Sequence, residues 1–215
     1  MSKIRTAFNN GKAFIPFITC GDPDLETTGK IVRAAVANGA DLIELGIPFS
    51  DPTAEGPVIQ GANIRALAGG VTTDQIFDLV RDLRRDVTIP LVFMTYANVV
   101  FSYGAEKFIA TCREIGIDGL ILPDLPFEEK EEFQPLCTRY DVDLESVVSI
   151  VRENTNLPCA IGFGISTPEQ AKHMSAYADG VIVGSAIIKL IEEHGSGAAE
   201  AVGDYVKKMK EAIVS

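Results

Sequence analysis

Short apolar runs alternate with longer segments of helical periodicity along most of the chain. An apolar run of four to eight residues between turn residues is typical of a buried strand, and apolar positions three and four apart are typical of a helix. The predicted strands span residues 13–19, 42–48, 90–96, 119–124, 141–144, 158–164 and 180–184. The predicted helices span residues 25–38, 58–67, 72–85, 106–115, 128–140, 145–153 and 167–177, with further helices to the C-terminus.

This alternation predicts parallel strands that are covered by helices. Such a sheet can close into a barrel or remain open and doubly wound. We favour the barrel, because no GxGxxG motif follows the first strand and polar residues end many strands rather than clustering at one point. The connections are short and no linker interrupts them, so residues 1–215 are expected to form a single domain.

Composition narrows the classes of partner. The chain is 47% hydrophobic and carries a formal net charge of -11. Nucleic acids and anionic membranes are held by clustered Lys and Arg side chains, so neither is an expected partner. The N-terminus has no apolar leader segment, and no apolar run approaches the length that spans a bilayer. These features predict a cytoplasmic protein.

The cysteines and histidines do not form a metal-binding pattern. The chain has two histidines and no CxxC pair, so a metal cluster is not expected. Both histidines, His173 and His194, fall in predicted helices and are expected at the surface. The simplest interpretation of the cysteines is that they are reduced, partly buried, apolar side chains. They are Cys20, Cys112, Cys137 and Cys159.

Glu44 is the anomaly of the second predicted strand, because it places a carboxylate between Ile43 and Leu45. Burying a charge is costly. One interpretation is a structural carboxylate satisfied by backbone or water. The other, which we favour, is a proton acceptor whose pKa is raised by desolvation. The loop after this strand carries Glu55, and two carboxylates at the mouth of a parallel-sheet domain suit acid/base chemistry, although Glu55 alone is equally typical of a solvated charge.

Two glycine-containing turns suggest a phosphate site. Each ends a predicted strand and opens a helix, where glycine allows close approach of an anion and the helix offers unpaired N–H groups. In barrels, the loops after the last two strands commonly form one phosphate cradle. The alternative is that both are only tight turns and helix caps. The candidate phosphate-binding residues are Gly162, Gly164, Gly184 and Ser185.

Other polar and aromatic residues at strand ends have ordinary structural interpretations. Asp51 and Asp124 are more often turn or cap residues than catalysts. The side chains of Phe17, Tyr96, Ile121 and Ile182 more often pack a core than line a pocket.

Several motifs together resemble the tryptophan synthase alpha chain family, in the family's order and over almost the whole chain. The motifs are Pro16-Phe-Ile-Thr-Cys-Gly-Asp-Pro, Glu44-Leu-Gly-Ile-Pro-Phe-Ser-Asp-Pro with Glu55-Gly-Pro, Met94-Thr-Tyr-Ala-Asn98, Gly162-Phe-Gly-Ile-Ser-Thr-Pro and Val183-Gly-Ser-Ala. The resemblance implies a (β/α)8 TIM barrel that cleaves indole-3-glycerol phosphate to indole and glyceraldehyde 3-phosphate. It also implies no cofactor in this chain and an α2β2 complex with a beta chain that carries pyridoxal phosphate.

The resemblance further implies roles for individual residues. Glu44 matches the carboxylate that moves protons at C3 of the indole and at the glycerol hydroxyl. Glu55 stands where the family has an aspartate that accepts the indole N–H and stabilises positive charge on the ring. Substrate-pocket positions match Phe17, Tyr96, Ile121 and Ile182. Phosphate contacts match Gly162, Gly164, Gly184 and Ser185. Partner-facing positions match Asp51, Pro52 and Asn98.

The chain departs from the family after Leu144. A barrel of this kind typically needs about 250 residues, and here the sequence passes from the start of the fifth strand to a segment that resembles the helix after the sixth. One βα unit, with the mobile loop that follows it, has no counterpart, and roughly seven strands remain. Either the unit is deleted or the given chain omits it. A seven-stranded ring must change its shear and tilt to close, so an open barrel is an alternative.

Three functional hypotheses follow. The first is a lyase of the tryptophan synthase alpha type, with activity impaired by the missing segment because water exclusion suffers. The second is an inactive barrel that binds phosphate, the beta chain or both. The third is another phosphate-binding barrel enzyme.

Overall fold

The structure is a computed structural model that describes residues 3–125, 133–145, 157–162 and 164–214. These residues form seven strands and nine α-helices. The strands are β1 (Ala13–Thr19), β2 (Ile43–Gly46), β3 (Leu91–Met94), β4 (Gly119–Ile121), β5 (Asp143–Glu145), β6 (Ala160–Ile161) and β7 (Gly180–Val183). The helices are α1 (Leu25–Ala37), α2 (Pro57–Ala68), α3 (Thr73–Leu83), α4 (Ala97–Tyr103), α5 (Ala105–Ile115), α6 (Gln134–Tyr140), α7 (Pro168–Ser175), α8 (Ser185–His194) and α9 (Ala198–Val214). Short 3-10 helices span Lys3–Phe8 and Gly195–Gly197.

All pairings in the sheet are parallel, in the order β5-β4-β3-β2-β1-β7-β6. The first and last strands of this order are β5 and β6, and no pairing joins them among the described residues. The described sheet is therefore a curled, open barrel wall rather than a closed ring.

Local sequence signals explain where several helices begin. The Asp24 carboxylate accepts a hydrogen bond from the backbone N–H of Thr27 and caps α1. Helices α3 and α7 both begin with a capping box, formed by Thr72 with Gln75 and by Thr167 with Gln170 respectively. These caps fix the entry points of the helices that cover the sheet.

The sheet has two unlike faces, because successive side chains of a strand point to opposite sides. Outward-facing side chains such as Phe14, Ile18 and Phe93 pack with the helices in one large buried cluster. A second and much smaller cluster lies on the inner face and contains Ile15, Leu42 and other residues. Most apolar burial therefore holds helices to sheet, and less of it fills the barrel.

The alternation of strands and helices that the sequence predicts is confirmed, with two differences. No helix is predicted between residues 96 and 106, but this segment contains α4, and the Asp124 carboxylate accepts hydrogen bonds of 3.0 and 3.2 Å from the N–H of its first residue, Ala97. The fifth strand spans 143–145 rather than 141–144, so residue 145 is not helical. The rest of the predicted helix 145–153 lies outside the described residues, as do the first five residues of the predicted helix 128–140.

Candidate active site

Glu44 lies in the middle of the barrel wall. It is the second residue of β2, and the parallel register aligns it with Phe17 of β1 and Val92 of β3. The residue is only 8% exposed and lines a cavity inside the barrel. Glu44 thus places a nearly buried carboxyl group on the wall of the cavity, within reach of a molecule bound there.

The cavity next to Glu44 has a volume of about 410 Å³. Two of the sequence-predicted pocket residues, Ile121 and Ile182, line it together with Ile15 and Val92. The lining is mostly apolar, which suits the body of a flat organic ring better than a polar ligand.

Glu55 lies on the loop between β2 and α2, where the Asn63 amide holds its carboxylate. The Asn63 side-chain amide of α2 donates a hydrogen bond to Glu55 Oε2 at 2.7 Å. Burial raises the pKa of Glu55, and this hydrogen bond and the nearby Tyr96 hydroxyl oppose the rise by stabilising the ionised form. The site thus holds a partly desolvated carboxylate with its negative charge supported.

Tyr96 connects the loops at the carboxyl ends of β2 and β3. Its hydroxyl oxygen accepts a hydrogen bond of 3.1 Å from the N–H of Ala54, and its ring packs against Phe49 with centroids 5.1 Å apart. Burial, followed by the nearby charge of Glu55, raises the pKa of Tyr96. The tyrosine hydroxyl therefore stays protonated beside Glu55.

Phe17 occupies the space that two glycines leave open. A Cβ atom on Gly46 would lie 2.6 Å from Phe17 Cζ, and one on Gly184 would lie 3.3 Å from Phe17 Cδ1. The ring of Phe17 therefore lies between the ends of β2 and β7. It packs close to one of the predicted phosphate-binding residues.

The predicted phosphate-binding residues follow β6 and β7. Gly184 precedes α8, which Ser185 begins, and no side chain caps that helix terminus. Gly164 has a φ of 70°, and a Cβ there would meet nothing within 4 Å. Gly162 packs against Ile182, and a Cβ atom on Gly162 would lie 3.2 Å from Ile182 Cβ. The described part of this arrangement leaves open backbone beside an uncapped helix start, as anion binding requires.

The predicted partner-facing residues lie at the surface. Asp51 is exposed in the loop after β2, and the Ser50 hydroxyl donates a hydrogen bond to its carboxylate. Pro52 is half-buried and Asn98 is exposed on α4. Asp51 and Pro52 follow β2 and Asn98 follows β3, so the three residues share the end of the barrel at which the strands terminate.

Sequence reasoning missed Asn63 and a second network around Arg65. Asn63 is buried on α2 together with Ala62 and Ala66. A polar residue on an otherwise apolar helix face was the signal that could have identified it. Arg65 donates two hydrogen bonds of 2.9 Å to the Asp22 carboxylate and a third of 3.1 Å to Glu192 of α8. The sequence carried no comparable signal for this network, because its members are far apart along the chain.

The histidines and cysteines lie as follows in the structure. His173 and His194 are exposed, as predicted. Cys20, Cys112 and Cys137 are buried free thiols, Cys159 is half-buried and free, and burial raises the pKa of Cys20 to about 12. Within residues 3–125, 133–145, 157–162 and 164–214, no group of three or more His, Cys, Asp or Glu residues is arranged to hold a metal ion. In the same residues, no helix has the length and apolar character to cross a membrane.

Comparison with known proteins identifies one family. The sequence model of the "Tryptophan synthase alpha chain" family matches residues 4–150 and 138–214. The tryptophan synthase alpha chain of Lacticaseibacillus casei is 40% identical over 255 aligned positions, covering 99% of this chain and 96% of the relative. Since 255 positions exceed the 215 residues of this chain by 40, at least that many positions of the relative have no counterpart here.

Solved structures give the same result for the fold. The crystal structure of tryptophan synthase subunit alpha from Legionella pneumophila superposes with a TM-score of 0.92 at 34% identity, covering 100% of this chain and 99% of the other. A chain of the tryptophan synthase complex from Pyrococcus furiosus superposes with a TM-score of 0.84 at 29% identity, covering 93% and 98%. The curled parallel sheet is therefore a TIM-barrel wall.

Proposed function

The chain belongs to the tryptophan synthase alpha chain family of lyases, and we propose that it cleaves indole-3-glycerol phosphate to indole and glyceraldehyde 3-phosphate. The family belongs to tryptophan biosynthesis. One observation supports this specific reaction most directly. Glu44 is a buried carboxylate on the wall of a mostly apolar cavity that is large enough for an indole ring.

In the proposed reaction, Glu44 moves protons at two atoms. Its protonated form gives a proton to C3 of the indole, which makes the ring an electrophilic cation. The resulting carboxylate takes the proton of the glycerol hydroxyl next to C3. The electrons of that O–H bond form the aldehyde carbonyl, and those of the breaking carbon–carbon bond return to the ring. Both roles belong to one carboxyl group that gives and takes a proton in one cycle.

Glu55 is the proposed stabiliser of the cation. Its carboxylate accepts a hydrogen bond from Asn63, and such a fixed donor keeps the negative charge in one position. Glu55 is one methylene longer than the aspartate that the resemblance implies at this position. The Asn63 donor on α2 supports the proposal because it fixes the carboxylate of the longer side chain.

The phosphate of the substrate is proposed to bind at Gly162, Gly164, Gly184 and Ser185. An uncapped helix start at Ser185 offers unpaired N–H groups and the positive end of a helix dipole. Gly164 provides open backbone. Holding the phosphate there leaves the indole to extend past Phe17 toward Glu44.

The decisive experiment compares the unmodified chain with two variants. Release of glyceraldehyde 3-phosphate is measured with a coupled dehydrogenase on protein of confirmed intact mass. Glu44→Gln is expected to lower kcat by about 100-fold to 10,000-fold, because general acid–base catalysis contributes that much. Glu26→Gln, at an exposed position on α1, serves as the matched control and should retain the rate. Absence of turnover in the unmodified chain at its confirmed mass would remove the proposed reaction.

The open edge of the barrel favours a second candidate, a binding module without turnover. No strand pairing closes the sheet between β5 and β6 among the described residues, and at least 40 aligned positions of the Lacticaseibacillus casei relative have no counterpart. The family model matches in two parts that share residues 138–150, which supports a missing segment at about Leu144. Water would then reach the site more easily, and the rate would fall.

The partner in either case is proposed to be a tryptophan synthase beta chain. It carries the pyridoxal phosphate, and this chain needs no cofactor of its own. The proposed contact residues are Asp51, Pro52 and Asn98, at the surface of loops that Tyr96 connects. Stimulation of a beta chain's serine chemistry without glyceraldehyde 3-phosphate release would favour the binding module. Stimulation together with release would favour the lyase.

A further inference from the structure

Helix α2 contacts two separate parts of the proposed substrate site. Its Asn63 amide holds the Glu55 carboxylate, and its Gln60 side-chain amide donates a hydrogen bond of 2.7 Å to the Glu55 backbone carbonyl. At the proposed phosphate site, a Cβ atom on Gly184 would lie 3.5 Å from Ile59 Cδ1 of α2, which is ordinary van der Waals contact. The same helix therefore holds the proposed ring-stabilising carboxylate and packs against the start of α8.

Arg65 forms a further contact between α2 and α8. Its guanidinium group donates a hydrogen bond of 3.1 Å to the Glu192 carboxylate. Glu192 lies seven residues after Ser185, which is about 10 Å along a helix. The Ile59 contact at the start of α8 and the Arg65 contact about two turns later together fix the position and the tilt of α8 relative to α2.

The guanidinium group of Arg65 is itself held in place by Asp22, in the loop after β1. Nε and Nη2 donate hydrogen bonds of 2.9 Å each to the two carboxylate oxygens, a bidentate geometry that fixes the plane of the guanidinium group. The Asp22 side chain is 1% exposed, so this anchor is part of the protein interior. The remaining terminal nitrogen, Nη1, is thereby directed at Glu192.

A substrate with a phosphate at one end and a ring at the other depends on the distance between the two ends of its site. A misplacement of about 1 Å can cost about a hundredfold in rate. The contacts of α2 connect the Glu55 carboxylate to α8, whose first residue, Ser185, is a proposed phosphate ligand. The Arg65 contact therefore acts on the spacing of the two ends rather than on either end alone.

We propose that Arg65 is a positioning residue, which through Glu192 sets the distance between the phosphate-binding start of α8 and the Glu55 carboxylate. This role rests on the proposed function of both ends of the site. Neither Arg65 nor Glu192 belongs to the proposed phosphate or ring contacts. The arrangement selects substrates in which the chain between the ring and the phosphate has the length that this spacing requires.

The test compares three probes on the full chain. Indole-3-propanol phosphate, the spanning probe, occupies both ends of the site, whereas glycerol 3-phosphate occupies the phosphate end and indole occupies the ring end. The chain contains no tryptophan, so the fluorescence of the two indole compounds reports their binding. Glycerol 3-phosphate is measured by its displacement of the spanning probe. None of these measurements requires turnover.

Glu192→Ala removes the contact with α8 and leaves the buried Asp22 pair in place. The Kd of the spanning probe should rise about twofold to fivefold, which is the scale of an exposed ion pair, whereas the Kd values of glycerol 3-phosphate and indole should not change. Loss of a negative charge by itself would favour an anionic probe, so weaker binding has the opposite sign from a simple charge effect. Glu193→Ala removes the same charge at the next exposed position of α8, and this matched control should leave all three values unchanged.

A double variant tests whether Arg65 and Glu192 act through the same contact. Lysine lacks the planar fork that reaches Asp22 and Glu192 together, so Arg65→Lys should also weaken binding of the spanning probe. Adding Glu192→Ala to Arg65→Lys should then have little further effect, because two changes that remove one contact are not additive. If Arg65→Lys does not fold by circular dichroism, Glu192→Ala and its control still decide the question.

Three results would overturn the positioning role. The first is equal affinity of Glu192→Ala and the unmodified chain for the spanning probe. The second is an equal loss of affinity for glycerol 3-phosphate, since the phosphate end itself would then be damaged. The third is full additivity in the double variant. If the unmodified chain does not bind the spanning probe, the proposed function fails as well, whereas binding that the variants do not change refutes the positioning role alone.

Discussion

The side-chain amide of Asn63 donates a 2.7 Å hydrogen bond to the carboxylate of Glu55. The two residues come from different elements, α2 and the loop before it, and the contact fixes the direction of the Glu55 charge. Burial raises the pKa of Glu55, and this hydrogen bond holds the pKa down. The amide therefore helps Glu55 to be ionised when the ring cation forms.

Replacing Asn63 with leucine is expected to move the pH profile of the lyase. Loss of the donor raises the pKa of Glu55 further, so the ionised form disappears at a higher pH as the solution is acidified. The acid limb of the pH profile of kcat/KM should shift to higher pH, and kcat/KM itself should change less at high pH, where Glu55 is ionised in both proteins. Asn98→Leu, at an exposed amide on α4, is the control and should leave the profile unchanged without a partner chain. If the acid limb of the Asn63→Leu profile does not shift, the ionisation of Glu55 is not needed for catalysis.

Replacing Glu55 with glutamine is expected to stabilise the fold near neutral pH. The pKa of Glu55 in the folded chain is raised above its ordinary value of 4.5. Folding therefore favours the protonated form, and the corresponding stability is present below pH 4.5 and lost as the pH rises through the folded pKa. Removing the charge should raise Tm at pH 7 and have little effect at pH 4. A lower Tm at pH 7 would contradict the direction, and lyase activity should fall in the same variant.

Replacing Arg65 with leucine is expected to destabilise the protein strongly. The Asp22 side chain is 1% exposed and Arg65 is 33% exposed, so removing the guanidinium group leaves a buried carboxylate without its ion-pair partner. Such a loss typically costs about 3 to 5 kcal/mol, and the partial exposure of Arg65 favours the lower end. Urea unfolding measures the free energy of unfolding.

The surface pair of Arg81 and Asp78 provides the comparison for Arg65. Both side chains are largely exposed, so Arg81→Leu should cost far less than Arg65→Leu. The double variant Asp22→Asn with Arg65→Leu should recover part of the loss, because no buried charge remains. Equal costs for the two arginines would show that the buried position of Asp22 does not matter.

Replacing Gly46 with alanine is expected to displace Phe17. The added Cβ would lie 2.6 Å from Phe17 Cζ, which is too short for any real contact. Overpacking of this kind costs roughly 1 to 3 kcal/mol, and the displaced ring should also raise KM. Phe17→Leu in the same chain should relieve the clash and restore stability in part. Gly61→Ala, in the middle of α2 with only the Arg65 side chain nearby at 3.5 Å, should be neutral or slightly stabilising.

Much of the fold was predictable because its signals are local. Apolar runs such as 13–19 have the period and length of a buried strand, and Thr72 with Gln75 has the spacing of a capping box. Helix α4 was not predicted because its seven residues, Ala97–Tyr103, are too few for a helical period to stand out. Its start depends instead on Asp124, a residue from the next strand's loop.

The sequence by itself determined the family, the parallel order of strands and helices, and the position of a carboxylate within an apolar strand. These follow from residue types and spacings that act over a few positions. Only the tertiary structure decided that Asn63 holds Glu55, that Arg65 pairs with Asp22, and that a cavity lies beside Glu44. Each of these is a contact, or a missing contact, between residues distant in the chain, and such contacts depend on how the curled sheet brings separate strands and helices together.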